Sequence, residues 1–181
     1  QTCALPISRL LRIMGYSVYD TDSEAKRLME SSLEVVQKLS ECFGRDIYHN
    51  GRLNRGLLSS RVFGKSDKIV LLNSIVHPVV RFDFYRWSES LNEEICFVES
   101  AILYESRFDE LVDEVWTVTA PEELRISRVR QRSGLTEEEI KKRMAAQLSE
   151  EEKQRRAAHI IWNDGNVSVI HRVLSLLKSL E

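Results

Sequence analysis

Four short segments rich in β-branched and aromatic residues lie along the chain. Within each segment the apolar positions run nearly without interruption, rather than alternating with polar ones. This pattern is typical of parallel strands that helices cover on both faces. We therefore predict strands at residues 16–19, 95–98, 115–118 and 160–162.

Helix-start signals are interspersed with these segments. At four places a Ser or Thr is followed three residues later by Glu, a spacing that favours a capping box at a helix N-terminus. The predicted N-caps are Thr21, Thr119, Thr136 and Ser149. Because strands and helix starts alternate, the pattern predicts an α/β fold with a doubly wound parallel sheet in three layers.

Residues 31–94 depart from this alternation. Their hydrophobic period is mostly helical, with a turn at residues 48–51 and no convincing strand, so we predict a helical insertion. Gly64-Lys65-Ser66 looks like the end of a phosphate-binding loop. That loop requires a glycine five residues before Gly64, and this position is occupied by Ser59. The tripeptide also follows a helical run, so an ordinary loop between two helices is the better prediction.

Composition narrows the class of protein. The chain has 181 residues, a formal net charge of −2, 43% hydrophobic and 30% charged residues, which fits one globular domain. Balanced charge argues against nucleic acid as a partner, and no apolar run reaches the roughly 20 residues of a membrane helix. The three cysteines form neither a zinc pattern nor a disulfide framework. We expect a cytoplasmic protein with no membrane partner and no evident obligate protein partner.

Two aspartates follow the first predicted strand. Asp20 and Asp22 stand at its carboxyl end, where ligands bind in open α/β sheets. A carboxylate there could accept a proton from a substrate hydroxyl. Alternatively, an aspartate in a first helical turn only complements the helix dipole.

A basic stretch without acidic residues occupies positions 124–136, and its arginines are Arg125, Arg128, Arg130 and Arg132. In a helix the first, second and fourth of these share a face, and guanidinium groups suit phosphate oxygens. Ser133-Gly134 then ends the helix, which predicts a helix–turn–helix that closes as a lid. A solvated surface face, neutralised by the glutamates at 137–139, is the alternative.

Three further features are weaker. His77, directly before Pro78, is more typical of a helix end or a core than of a ligand. Arg143 and Gln147 share a helix face, and residues 163–165 form a turn after the last predicted strand. No His, Cys and Asp group has metal-ligand spacing, and no Gly-x-Ser-x-Gly sequence occurs.

In this order, these segments resemble dephospho-coenzyme A kinase, a P-loop kinase of the nucleoside-monophosphate-kinase type. The resemblance runs from about Ser8 to near the C-terminus. Its matching positions are residues 15–25, 53–55, 61–63, 75–78, 103–105, 121–122, Arg128 with Arg132, Arg143 with Gln147, and 161–165.

The resemblance implies a three-part molecule with an α/β core of the P-loop kinase type. The implied parts are a nucleotide-binding core (8–30, 95–123 and 149–181), a helical acceptor domain (31–94) and a lid (124–148). The implied reaction transfers the γ-phosphoryl group of ATP, bound with Mg²⁺, to the ribose 3′-hydroxyl of dephospho-coenzyme A. This reaction ends coenzyme A biosynthesis.

The resemblance also implies residue roles. Asp22 would take the hydroxyl proton, and Arg128 would act with Arg132 on the phosphates. The acceptor site would include Asp20, Arg55, His77 and Arg81. The nucleotide site would include Arg132, Asn163 and Gly165, and no residue of this chain is assigned to the metal.

The chain departs from the family pattern in three ways. Residues 99–103 read Glu-Ser-Ala-Ile-Leu where the family usually has Asp-x-Pro-Leu-Leu, and Trp162 replaces a common Asp. The third departure is that the sequence contains no Gly-x-x-x-x-Gly-Lys-Ser/Thr loop. In P-loop kinases this loop holds the phosphates with its amides and lysine, and its hydroxyl contacts Mg²⁺.

We expect residues 1–7 to be a leader that is not native to the protein. They contain neither glycine nor lysine, and Pro6 cannot donate a hydrogen bond to a strand ladder. On this interpretation the chain as written has negligible kinase activity and low stability. The alternatives are a dephospho-coenzyme A-binding protein without kinase activity and a related nucleoside or nucleotide kinase.

Overall fold

The computed structural model describes residues 5–180, which form two compact units. The first unit contains the residues up to 18 and those from 95 onward, and the second contains residues 19–94. In chain order the elements are α1 (Leu5–Ile13), β1 (Val18–Asp20), α2 (Thr21–Ser31), α3 (Leu33–Phe43), β2 (Tyr48–His49), β3 (Arg52–Leu53), α4 (Arg55–Val62), α5 (Ser66–Ser90), β4 (Phe97–Glu99), β5 (Trp116–Thr119), α6 (Glu122–Ser133), α7 (Glu137–Ala145), α8 (Glu150–Arg156), β6 (His159–Trp162) and α9 (Val169–Leu177).

The first unit is built on short strands with helices packed against them. β5 and β6 pair in parallel, from Trp116 opposite His159 to Thr119 opposite Trp162. β4 begins beside the entry to β1, where the Phe97 amide donates to the Ser17 carbonyl at 2.9 Å. All four predicted strands are therefore present, although β1 and β4 begin two residues later than predicted.

The core of the first unit contains residues of α1, the first helix, and of α9, the last helix. Ile7 and Leu11 of α1 pack with Ile161 of β6 and with apolar residues of α9. The residues predicted as a non-native leader thus divide: residues 5–7 form the first turn of α1, and residues 1–4 lie outside the described residues. Whether residues 1–7 are native stays a prediction.

The second unit is mainly helical, as predicted for the insertion. Its core includes Val35 and Leu39 of α3 and Ile47, each with no exposed surface. The unit begins at residue 19, so it includes α2, which the sequence assigned to the nucleotide-binding core. The binding roles of the predicted parts stay predictions.

One short hairpin corrects the prediction that residues 31–94 hold no strand. β2 and β3 pair antiparallel, with Tyr48 opposite Leu53. Asn50 and Gly51, in the predicted turn, have φ angles of 49° and 76°. Positive φ at both central residues is the geometry of a two-residue hairpin turn. Strands of two residues are too short to produce a periodic signal.

Two of the four predicted N-caps are wrong, and both errors lie at strand ends. Asp20, not Thr21, caps α2, because its Oδ1 accepts from the Asp22 amide at 3.1 Å and the Ser23 amide at 3.3 Å. Thr119 is the last residue of β5, and Pro121 precedes the first residue of α6.

The other two N-caps are confirmed. Thr136 and Glu139 form a reciprocal capping box at α7. The Ser149 hydroxyl accepts from the Glu152 amide at 3.2 Å at the start of α8. Gly64 has a φ of 75° in the loop between α4 and α5, which confirms the ordinary loop predicted there. Among residues 5–180, no helix has the length and apolarity to cross a membrane.

Candidate functional site

A cavity of about 260 Å³ lies in the first unit, beside β5 and the end of β4. Its walls come from the strand-following segment 99–105 and from α6, α7 and α8. The charged residues on these walls are Glu99, Glu105, Arg125, Arg132, Arg143, Glu150 and Lys153. The cavity thus combines four cations with three carboxylates, and three of the cations, Arg125, Arg132 and Arg143, belong to the segment 124–148 that was predicted to be a lid.

The predicted helix–turn–helix is confirmed. α6 ends at Ser133, and Gly134 follows it in the left-handed conformation with a φ of 69°. Glycine adopts this conformation without strain, which is why it commonly follows helix ends. α7 then presents Ile140, 1% exposed, toward the cavity. The buried isoleucine fixes α7 against the unit, so Arg143 and Met144 of the same helix line the same cavity.

Glu150, the first residue of α8, is the centre of a charged network. Its Oε1 lies 3.1 Å from Arg125 Nη1 and 3.3 Å from Lys153 Nζ. Its Oε2 accepts from the Thr119 hydroxyl at 2.9 Å. The side chains of the three charged residues are only 16–25% exposed. One carboxylate therefore binds groups from α6, α8 and the end of β5.

Arg125 is only partly satisfied by this network. Its Nε atom is buried and has no hydrogen-bond partner among the described residues. Because a buried donor is costly when unpaired, an acceptor group on a ligand in the cavity would stabilise this arginine. Arg125 was expected on a phosphate-facing or solvated surface, and the structure instead places it at a buried junction that also lines the cavity.

Arg128 and Asn163, two predicted site residues, are in contact. Arg128 Nη1 donates to the Asn163 carbonyl at 2.7 Å, and Nη2 lies 3.5 Å from Oδ1. The Asn163 amide in turn donates to the Thr119 carbonyl at 2.8 Å. Gly165 follows with a φ of 91° in the same turn. The structure thus joins the middle of α6 to the turn after β6, and it places Arg132 on the cavity wall.

Asp20 and Asp22 lie in the second unit, at the start of α2. Asp20 uses its carboxylate to cap the helix and to accept from the Ser23 hydroxyl at 2.8 Å. Burial, followed by the negative charge of Asp20, raises the pKa of Asp22 above its usual range. A carboxylate with a raised pKa is a stronger base, which suits the predicted proton acceptor.

The remaining predicted acceptor residues also lie in the second unit. Arg55, the first residue of α4, forms an ion pair with Glu30 at 3.2 Å. His77 and Arg81 are one helical turn apart in α5, so they share a helix face. His77 is half-buried in the middle of α5 rather than at a helix end. Asp22 and Arg128, the two predicted catalytic residues, belong to different units.

Sequence reasoning missed Thr119, Glu150 and Lys153 as members of the cavity network. Thr119 was interpreted as an N-cap, and no role was predicted for Glu150 or Lys153. The local sequence contains no signal for their burial, because only tertiary packing brings α6, α8 and β5 together. One signal could have been used: Thr119 ends a strand, and Glu150 and Lys153 lie at the start of a helix, so a polar junction between the two elements could have been predicted.

The parallel strands and the helices packed against them define an α/β protein with the P-loop kinase fold, and solved structures agree. The crystal structure of TT1252 from Thermus thermophilus is similar, with a TM-score of 0.85 and 32% identity over 99% of this chain and 92% of that one. Dephospho-CoA kinase from Campylobacter jejuni has the same fold, with a TM-score of 0.69 and 22% identity over 95% and 88% of the two chains.

Sequence comparisons identify the family. The dephospho-CoA kinase family model matches residues 5–168. Dephospho-CoA kinase from Porphyromonas gingivalis is 35% identical over 175 residues, 96% of this chain and 87% of that protein. Its counterpart from Bacteroides fragilis is 37% identical over 175 residues, 96% and 85% of the two chains. The chain therefore belongs to the dephospho-CoA kinase family, whose members are phosphotransferases.

Proposed function

We propose that the protein phosphorylates the ribose 3′-hydroxyl of dephospho-coenzyme A with ATP, giving coenzyme A and ADP in the last step of coenzyme A biosynthesis. The observation that carries this proposal is Asp22, a carboxylate in the first turn of α2, two residues after β1, and its pKa is raised by burial and by the charge of Asp20. Family membership supplies the reaction, and this residue supplies a base matched to an alcohol acceptor. We place the reaction in the cytoplasm.

Each predicted site residue has a role in this proposal. Asp22 takes the proton of the 3′-hydroxyl as the oxygen attacks phosphorus. Arg132, on the cavity wall, and Arg128 neutralise the charge of the phosphates. Arg128 reaches them by exchanging its bond to the Asn163 carbonyl, and Asn163 and Gly165 lie near the adenine. The acceptor is held by Asp20, Arg55, His77 and Arg81.

Mg²⁺ enters with ATP as part of the substrate. Among the described residues, no group of three or more metal-ligating side chains is present. Mg²⁺ in kinases is bound by one or two carboxylates together with substrate phosphates and water, so such a group is not required. Glu99, 8% exposed at the end of β4, is the carboxylate on the cavity wall that fits this mode. The ion would neutralise phosphate charge during transfer.

We further propose that a polypeptide limited to the printed 181 residues has negligible kinase activity. The printed sequence contains no phosphate-binding loop. Loss of even one donor to developing charge costs about 3–4 kcal/mol, and the loop supplies several. The amides and lysine of the loop would therefore have to be restored for full activity.

The experiment compares the printed chain with a variant that carries a strand and a Gly-x-x-x-x-Gly-Lys-Thr loop ahead of Ser8. Coenzyme A formation from dephospho-coenzyme A and Mg·ATP is measured for both. We expect turnover only with the added segment, and at least a roughly 100-fold loss when Asp22→Asn is introduced into it. Asp67→Asn, an exposed aspartate in the first turn of α5, is the matched control and should keep full activity.

The outcomes separate the alternatives. Binding of dephospho-coenzyme A without any turnover in the extended variant would support a binding protein. Phosphorylation of nucleosides in preference to dephospho-coenzyme A would support a related kinase. Full activity of the Asp22→Asn variant would remove the base from the proposed mechanism.

A further inference from the structure

We propose that Glu150 is a positioning residue that fastens the two ends of the lid to each other. In this role it holds the arginines of α6 in place along the cavity. The functional meaning of the lid rests on the proposed phosphoryl transfer. The fastening itself is a property of the structure and can be measured without either substrate.

The position of the network relative to the lid supports this role. The lid, residues 124–148, begins one residue before Arg125 and ends two residues before Glu150. The 3.1 Å ion pair between these two side chains therefore closes the lid segment at its base. Lys153 and Thr119 bind the same carboxylate and connect that base to α8 and β5.

A second contact at the base of the lid holds only the end at which the chain leaves it. The Leu148 amide, at the exit of the lid, donates to Glu105 Oε1 at 2.6 Å. This bond holds the exit but involves no residue of α6. Glu150 differs because its carboxylate binds α6, the first helix of the lid, directly through Arg125.

The geometry of α6 transmits the fastening to the predicted phosphate-binding residues. Arg125, Arg128 and Arg132 occupy successive turns of one helix, on one face. A rigid helix moves as a unit, so the position of Arg125 sets the positions of the other two. Arg128 keeps its 2.7 Å bond to the Asn163 carbonyl only when α6 is held in this pose.

Charge makes the network sensitive to Glu150. The Glu150 carboxylate pairs with two cations, Arg125 and Lys153, whose side chains are 18% and 16% exposed. If the negative charge is removed, two largely buried cations remain beside each other without their counter-ion. Breaking a buried pair in this way is strongly unfavourable, and moving one cation into water relieves it. Arg125 sits in the first turns of α6, so its movement displaces the base of the lid.

Hydrogen–deuterium exchange on the full 181-residue chain tests the proposal. Glu150→Gln is expected to raise amide exchange in α6 and α7 about tenfold, while exchange in α1 and α9 stays within about twofold. Glu151→Gln is the matched control, because this exposed neighbour in the same helical turn undergoes the same change of charge. It should leave the lid unchanged.

Two further variants keep the test decisive. Glu150→Asp retains the charge and should restore much of the protection of the lid, even where Glu150→Gln folds poorly. Arg125→Gln combined with Glu150→Gln should expose the lid no more than either change alone, because both break the same ion pair. Unchanged lid exchange in Glu150→Gln, or equal acceleration throughout the first unit, would overturn the positioning role. Neither result depends on whether dephospho-coenzyme A is the substrate.

Discussion

The two units of the protein place their charged residues differently. In the first unit a carboxylate and two cations are largely buried around the end of β5, beside the cavity. In the second unit the ion pairs lie at the surface, such as Arg55 with Glu30, whose side chains are 52% and 34% exposed. Its interior is apolar, with Val35, Leu39 and Ile47 fully buried.

This difference shows that the interactions that fix the arrangement of the helices need not be those that stabilise the fold. Buried ion pairs contribute little net stability, but they are costly to break and demand one arrangement of their elements. Surface pairs are worth about 0–1 kcal/mol and are screened by salt. The first unit therefore uses charge to fix the position of its helices, whereas the second relies on apolar packing. Four predictions test this contrast, from the largest expected effect to the smallest.

The apolar core of the second unit should dominate its stability. Leu39→Ala is expected to lower the free energy of unfolding by about 2–5 kcal/mol, because it leaves a cavity at a fully buried position of α3. Leu33→Ala in the same helix is the control, since Leu33 is 86% exposed and should change little. Urea denaturation measures both. Equal losses would show that the packing of α3 is not what stabilises the unit.

The buried network of the first unit should respond to loss of a single hydroxyl. Thr119 is 1% exposed and donates to the Glu150 carboxylate. Thr119→Val keeps the shape but leaves that oxygen without its donor, at an expected cost of about 1–3 kcal/mol. Thr117→Val on the same strand is the control, because its hydroxyl donates at 3.3 Å to the neutral Lys153 carbonyl.

Denaturation of these two threonine variants gives the comparison directly. We expect the loss for Thr119→Val to exceed that for Thr117→Val, because hydrogen bonds to charged groups are the stronger ones. A larger loss at Thr117 would mean that the charge of Glu150 adds nothing at this junction.

A surface ion pair of the second unit should contribute little to stability, in contrast to the buried network of the first unit. Arg55→Met removes the partner of Glu30 at the start of α4 and is expected to cost less than about 1 kcal/mol. The loss should shrink further at high salt, which urea denaturation at two ionic strengths would detect. Exposed Arg52→Met in β3 is the control. A large, salt-independent loss at Arg55 would contradict the contrast between the units.

The parts that sequence could predict are those with local causes. The four strands were predictable because uninterrupted apolar runs signal burial on both faces, and the Thr136 capping box was predictable because both partners lie within four residues. The cap at Asp20 was missed because it depends on where β1 ends, and strand ends depend on pairing with distant residues.

The Glu150 network was not predictable for a related reason. Its members come from positions 119, 125, 150 and 153, and nothing in their local patterns distinguishes a buried Glu from an exposed one. The raised pKa of Asp22 has the same origin, since burial is its largest cause. The sequence could propose the chemistry of these residues, but only the fold determines their surroundings.

Asp22 provides the smallest and most specific test, because it is a partly buried carboxylate in the second unit, whose ion pairs lie mostly at the surface. Its pKa is higher in the folded protein than in the unfolded chain, because of burial and Asp20. The folded state therefore binds its proton more tightly. The stabilisation is complete at pH values below the unfolded pKa, and it is lost as the pH rises through the folded pKa.

Asp22→Asn should consequently be slightly more stable than the unchanged protein at neutral pH, and this advantage should disappear as the solution becomes acidic. Thermal denaturation between acidic and neutral pH measures the difference in Tm. Asp67→Asn, at an exposed helix start, should instead lower the Tm slightly, because it removes a charge that complements the helix dipole. If Asp22→Asn also lowers the Tm at neutral pH, the helix dipole outweighs burial at Asp22. The carboxylate would then lack the raised pKa on which its proposed role as a base depends.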